Sequence, residues 1–177
     1  QAAGLRGVKQ LRWAAEHMTG QTASPFEVQT SMLVSLPRNE GGMGINIANN
    51  VRIPLSDAAR SLYDKTCCYA DILIESATNS MGVILECQGR SAHGGEAASL
   101  SDAERTTALT SMGYDVIQIT YEQIKDTKSF NNIAELIHKK AGLPYIPKTD
   151  QERTAAETLR RELLVDWDEL FAVKPAG

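Results

Sequence analysis

Two short apolar runs, "YADILI" at residues 69–74 and "MGVILEC" at 81–87, stand six residues apart with "ESATNS" between them. Aliphatic and β-branched side chains dominate both runs, and turn formers make up the connection, so the pattern predicts an antiparallel hairpin. A third run, "DVIQIT" at 115–120, alternates with strand period. It follows a segment that Ser99 or Ser101 caps as a helix through Met112, with Gly113 as the stop. A helix between two strands permits a parallel crossover, so the expected fold is an α/β domain with a mixed central β-sheet flanked by helices.

The rest of the chain is arranged around this unit. Leu5, Val8, Leu11, Ala15 and Met18 recur at helical spacing over 5–18, with Arg6, Lys9 and Arg12 between them as a solvated basic flank. "SPFE" then opens a second helix with Ser24 as N-cap, Pro25 in the first turn and Glu27 at the third position, ahead of apolar Phe26, Met32, Leu33 and Leu36. "PRNEGGMG" at 37–44 has the composition of a mobile loop. Residues 51–55 form a strand whose Pro54 argues for a sheet edge. Ser129 begins a helix to about Ala141, and 149–164 form a charged peripheral helix with Leu159, Leu163 and Leu164 as its thin apolar side. The expected organisation is an N-terminal helix within 1–22, closing a preceding region, a core domain over 23–142, and a linker with the peripheral helix over 143–177.

Composition restricts the classes of function. At 177 residues with 42% hydrophobic residues, the chain can bury one sizeable core. No apolar run approaches the ~18 residues needed to span a bilayer. Cys67, Cys68 and Cys87 have neither disulfide-framework nor zinc spacing and read as small core side chains, so a reducing, cytoplasmic setting is expected. The net charge of −4 excludes a generally basic surface, so a nucleic-acid interface would have to be local. Beginning at Gln1 rather than Met, the sequence reads as a fragment of a longer polypeptide.

Asp71 and Glu86 are the costly residues in this pattern, because each puts a carboxylate inside an apolar strand. Alternation places Glu86 and Gln88 on one face, and hairpin pairing can bring Asp71 near Glu86. Two carboxylates in a partly dry sheet require a compensating cation or a raised pKa. Mg²⁺ would supply the cation, since it binds through one or two carboxylates together with water and phosphate oxygens. Such an ion polarises a phosphodiester and acidifies an attacking water, which position 88 could orient.

Taken together, "SPFE", "YADILI", "GVILECQGRSAH", "DAERTTALTSMGYDVIQIT" and "YEQI" resemble, in order and spacing, the PD-(D/E)xK nuclease superfamily, in its branch related to very-short-patch-repair endonucleases. The resemblance covers about residues 24–141. It implies a restriction-endonuclease-like fold and metal-dependent hydrolysis of DNA with Mg²⁺ or Mn²⁺. It further implies Asp71 and Glu86 as metal ligands, Glu27 near the metal directly or through water, Gln88 at the water, and His93 assisting proton transfer. Asp102 and Arg105 match the helical segment packed over the site. The sequence departs from the family pattern at Gln88, where Lys or Asp is usual, and at Gln118, where a basic residue is common.

Several of these residues also have plainer readings. Glu27 can serve only to complete a capping box with Ser24. His93 can be a solvated turn residue, and Asp102 and Arg105, three apart on a helix, can form a surface ion pair. The competing functional class is a nuclease-fold module that has lost turnover and acts by binding or regulation within a larger defence or toxin–antitoxin-like protein. A domain whose acidic site merely holds a stabilising ion is a third possibility.

Overall fold

The structure, a computed structural model, describes residues 20–88 and 96–164; the basic helix expected over 5–18 and His93 lie outside them. Four strands, β1 (Ile47–Pro54), β2 (Cys67–Ile74), β3 (Val83–Gln88) and β4 (Asp115–Thr120), form one mixed sheet in the order β1-β2-β3-β4. β1 pairs antiparallel with β2, and β2 antiparallel with β3, which gives the expected hairpin. β3 pairs parallel with β4, as the helical crossover between them allows. Pro54 lies on the edge strand β1, where no ladder donor is missed.

Among the described residues the helices are α1 (Pro25–Ser35), α2 (Asp57–Arg60), α3 (Glu96–Ser111), α4 (Tyr121–Lys125), α5 (Thr127–Ala141) and α6 (Asp150–Leu163). The crossover helix α3 begins before Ser99 and Ser101, which therefore lie inside it and are not its caps. The stretch "EAASL" propagates helix well enough to start it ahead of those serines. Gly113, with φ 94°, ends it as expected. Asp126, not Ser129, caps α5: its carboxylate accepts the Ser129 N–H at 2.8 Å. A capping box between Thr120 and Gln123 starts the unforeseen α4, so the strand passes into a helix with no loop.

Two apolar layers cover the sheet. On one face Ile72, Ile74, Val83, Leu85, Ile117 and Ile119 pack with Leu33 and Val34 of α1 and with Phe130, Ile133 and Ile137 of α5. On the other, Ile84 packs with Ala108 and Leu109 of α3 and with Ile53, Leu55, Ala59, Cys68 and Ala70. Each fully buried aliphatic side chain contributes about 1.5–3 kcal/mol, which makes these layers the main stabilising feature.

One detail of the layers bears on the site. Cys68 and Ala70 belong to the α3 side, yet Ile72 and Ile74, of the same parity along β2, belong to the α1 and α5 side. A regular strand would keep all four on one face, so the alternation changes phase at Asp71. β1 does the same, since Ile47 faces the first layer while Val51 and Ile53 face the second. Between them lies Asn50, with φ 51° in the left-handed region that Asn tolerates better than most side chains. Asn50 falls at the register position opposite Asp71, between the pairs Asn49 with Ile72 and Val51 with Ala70.

Two expectations are revised. Residues 37–44 are held by the backbone bonds Met43 N–H to Leu33 O, Gly44 N–H to Leu36 O and Ile45 N–H to Val34 O, so the segment is a packed turn and not a loose loop. Its glycines serve close approach: a Cβ on Gly42 would lie 2.0 Å from the Leu36 carbonyl oxygen. The last helix is less peripheral than its composition implied. Ala156 and Leu159 are buried, Leu159, Leu163 and Leu164 join the first apolar layer, and Gln29 Nε2 donates to Leu163 O at 2.7 Å. Arg38 pairs with Glu152 at 2.8 Å and holds that carboxyl down at about 2. Among the described residues, no helix is long and apolar enough to cross a membrane.

Candidate active site

The pairing of β2 with β3 ends at Ile72 and Leu85. Beyond that point β2 continues toward Cys67 paired only with β1, and β3 continues to Gln88 paired only with β4. The sheet therefore forks at the next register position, which is that of Asp71 and Glu86. Forking strips the Cys87 N–H of a ladder partner, and a buried N–H left unmade costs about 1–3 kcal/mol. Asp71 Oδ2 accepts it at 2.7 Å. Asp71 thus fills the crotch of the fork with a carboxylate, and the phase change in β2 occurs at the same residue.

Glu86 projects from β3 toward α3 and is only 6% exposed. Arg105 of α3 donates through Nη2 to Glu86 Oε2 and to the carbonyl of Tyr69. The other carboxylate oxygen, Oε1, is buried and has no hydrogen-bond partner among the described residues. Burial raises the Glu86 pKa to about 7, against the opposing pull of Arg105 and with a further push from Asp71. Burial likewise raises the Asp71 pKa; the Cys87 N–H and Arg105 oppose the shift, while Glu27 and Asp102 reinforce it.

Glu27 reaches the same region from the first turn of α1 and is 8% exposed. Ser24 Oγ accepts the Glu27 N–H at 3.2 Å, so the expected N-cap is present. The reciprocal arm differs from a capping box, because Glu27 Oε2 accepts from the N–H of Ala23 at 2.7 Å, one residue before the cap. Its negative charge is felt at both Asp71 and Cys87. Burial pushes the Cys87 thiol up to about 12, as suits a packing residue. All three cysteines are free thiols.

Gln88 ends β3 opposite Thr120, two residues beyond Glu86 and so on its face of the strand. Gln118 Nε2 donates to Thr106 of α3 at 3.2 Å, tying β4 to the helix that carries Arg105. Asp102 is exposed on α3 and does not pair with Arg105, whose partner is Glu86; the surface ion pair is therefore replaced by a buried one. The role of Arg105 was legible in one respect. It lies three and four residues before Ala108 and Leu109, on the stripe of α3 that meets the sheet, where an arginine needs an anion.

Four elements thus bring together Glu27, Asp71, Glu86 and Arg105. Among the described residues, no group of three or more His, Cys, Asp and Glu side chains is arranged to hold a metal ion. The donor set does fit an ion that takes two carboxylates and completes its shell with water or phosphate oxygens, because Glu86 Oε1 is buried and unpartnered beside Asp71. Burying an ion pair costs several kcal/mol in desolvation per charge, more than any single aliphatic side chain returns, so stability alone does not account for the cluster. Comparison of the chain with protein-family models, curated proteins and solved structures finds no match.

Proposed function

We propose that this chain is a metal-dependent DNA endonuclease of the PD-(D/E)xK type, with a restriction-endonuclease-like sheet, acting in the cytoplasm. The observation that carries the reading is the fork itself: it puts Asp71 and Glu86 at adjoining strand positions and leaves one buried Glu86 oxygen unpartnered. In this reading Asp71 and Glu86 hold Mg²⁺ or Mn²⁺, which when bound would polarise the phosphodiester and acidify water. Glu27 adds negative charge that favours cation capture. Gln88 orients water through its amide, which offers one acceptor and two donors but no charge. His93, outside the described residues, would assist the attacking water or protonation of the leaving oxygen.

The test is single-turnover cleavage of plasmid and oligonucleotide DNA by the parent, Asp71→Asn, Glu86→Gln, Gln88→Lys and Gln88→Leu at matched metal concentrations. Cleavage by the parent should be slow or Mn²⁺-dependent, because a neutral amide stabilises developing phosphorane charge less than a lysine does. Gln88→Lys should raise the rate with Mg²⁺, and the other three variants should abolish cleavage. A parent that is inert on every DNA form while folded and metal-bound rejects the enzyme.

A second reading, a nuclease-fold binding or regulatory module, is favoured by the Arg105–Glu86 pair, which already neutralises the carboxylate that a metal would use. That reading predicts metal-independent binding of nucleic acid or of another region of a longer chain, unaffected by Glu86→Gln.

A further inference from the structure

We propose that the cavity between α5, the 143–149 connection and α6 binds a phosphate-bearing planar molecule of nucleoside-monophosphate size. The cavity measures about 330 Å³ and shares no lining residue with the Asp71 and Glu86 site. That volume lies at the small end of ligand pockets, roughly 300–1,000 Å³, enough for one ring system with its phosphate and too small for a longer oligonucleotide.

The charges decide the ligand class. Arg38, Lys148, Arg153 and Arg160 line the cavity against the single carboxylate of Glu157, in a chain whose net charge is −4. Two of these cations are already engaged. Arg38 donates to Glu152 and to the carbonyls of Ile146 and Pro147, and Arg153 donates to Asp150 and to the Lys148 carbonyl. The other two have no direct ion-pair partner among the described residues, although Glu152 acts on Lys148 and Asp126 on Arg160 at longer range. Among the described residues no hydrogen bond or ion pair reaches the Lys148 ammonium, and Arg160 gives one donor to Lys125 O at 2.8 Å while its Nη1 is buried without a partner. Burial, together with Arg38 and Arg160, lowers the Lys148 pKa, opposed by Glu152, which Arg38 already engages, so the ammonium is under-compensated and an entering anion would favour its charged form. A phosphate carries about −1.5 to −2 charge and three acceptor oxygens, which suits one ammonium and one guanidinium. The ring surface on offer is Tyr145, half exposed and edge-on to His138 at 5.3 Å; Phe130 is buried and holds the Arg160 guanidinium 4.7 Å over its own centroid, which fixes that cation in place.

Calorimetric titration of the full chain with AMP, UMP, adenosine, uridine and inorganic phosphate tests the proposal, using the parent, Lys148→Met and Glu86→Gln. At least one nucleoside monophosphate should bind about tenfold or more tightly than either inorganic phosphate or its nucleoside. Lys148→Met, which keeps the aliphatic stem, should weaken that binding by about tenfold or more, the loss of one charge-assisted hydrogen bond. Glu86→Gln should bind as the parent does. Absence of binding by every probe overturns the proposal. So does equal affinity for inorganic phosphate, full affinity in a folded Lys148→Met, or loss of binding in Glu86→Gln, which would move the ligand to the other site.

Discussion

Replacing Glu86 with Gln should flatten the dependence of stability on pH. Burial is the largest influence on this carboxyl, and with Arg105 opposing and Asp71 adding, its pKa stands at about 7 against an ordinary 4.5. Between those values the folded protein binds the proton more tightly than the unfolded chain does. The stabilisation is therefore complete below pH 4.5 and is lost as pH rises through 7. The separation corresponds to roughly 3 kcal/mol, most of which falls between pH 5 and pH 8.5. For a chain of this size that is roughly 5–10 °C in Tm. Glutamine has nearly the same shape, cannot ionise and still offers Arg105 an acceptor. The assay is urea unfolding of parent and Glu86→Gln at pH 5 and pH 8.5 with chelator present. If both proteins lose stability in parallel, the reasoning about the buried carboxylate is refuted. Adding Mg²⁺ or Mn²⁺ at pH 8.5 should recover stability in the parent by mass action and not in the variant.

Arg105→Gln should cost about 2–4 kcal/mol at pH 8.5, because a buried carboxylate loses its cation, and less at pH 5, where Glu86 holds a proton; an equal cost at both pH values in denaturant melts would contradict the pairing. Glu27→Gln keeps an acceptor for the Ala23 N–H, so unfolding should change by less than about 1 kcal/mol while Mn²⁺ affinity measured by calorimetry falls; unchanged affinity would leave Glu27 a capping residue only. Gly42→Ala should destabilise by about 3 kcal/mol or more, since its Cβ would meet the Leu36 carbonyl at 2.0 Å; a Tm within about 2 °C of the parent would show that the turn yields.

The parts of the fold legible in sequence were those set by local periodicity. The hairpin, the edge position of Pro54, the parallel β4 and the Ser24 cap all follow from residue patterns a few positions long. The fork was not legible. It depends on where β2 and β3 stop pairing, and that follows from the phase change at Asp71 and Asn50, in two strands distant in sequence. For the same reason the Cys87 N–H as Asp71's partner could not be anticipated. The packed turn at 41–45 looked loose because two adjacent glycines were read as freedom; their missing side chains instead let the Leu36 carbonyl and the backbone of Ala155 approach. The Thr120 and Gln123 capping box was present in "TYEQ" and is a short-range signal that marks α4.

In the proposed reading Asp71 serves the backbone as well as the chemistry, whereas Glu86 has no backbone duty. Any descendant that kept the forked sheet but lost the reaction would still need an acceptor for the Cys87 N–H, so position 71 would drift no further than Asn or Asp. Glu86 has no such obligation: with Arg105 it could be exchanged for an apolar pair of similar volume at little cost or even a gain in stability. Among descendants of this chain, persistence of Asp or Asn at 71 would therefore report on architecture alone. If the proposed function holds, glutamate at 86 is the residue whose retention or loss would record whether selection still acts on that chemistry.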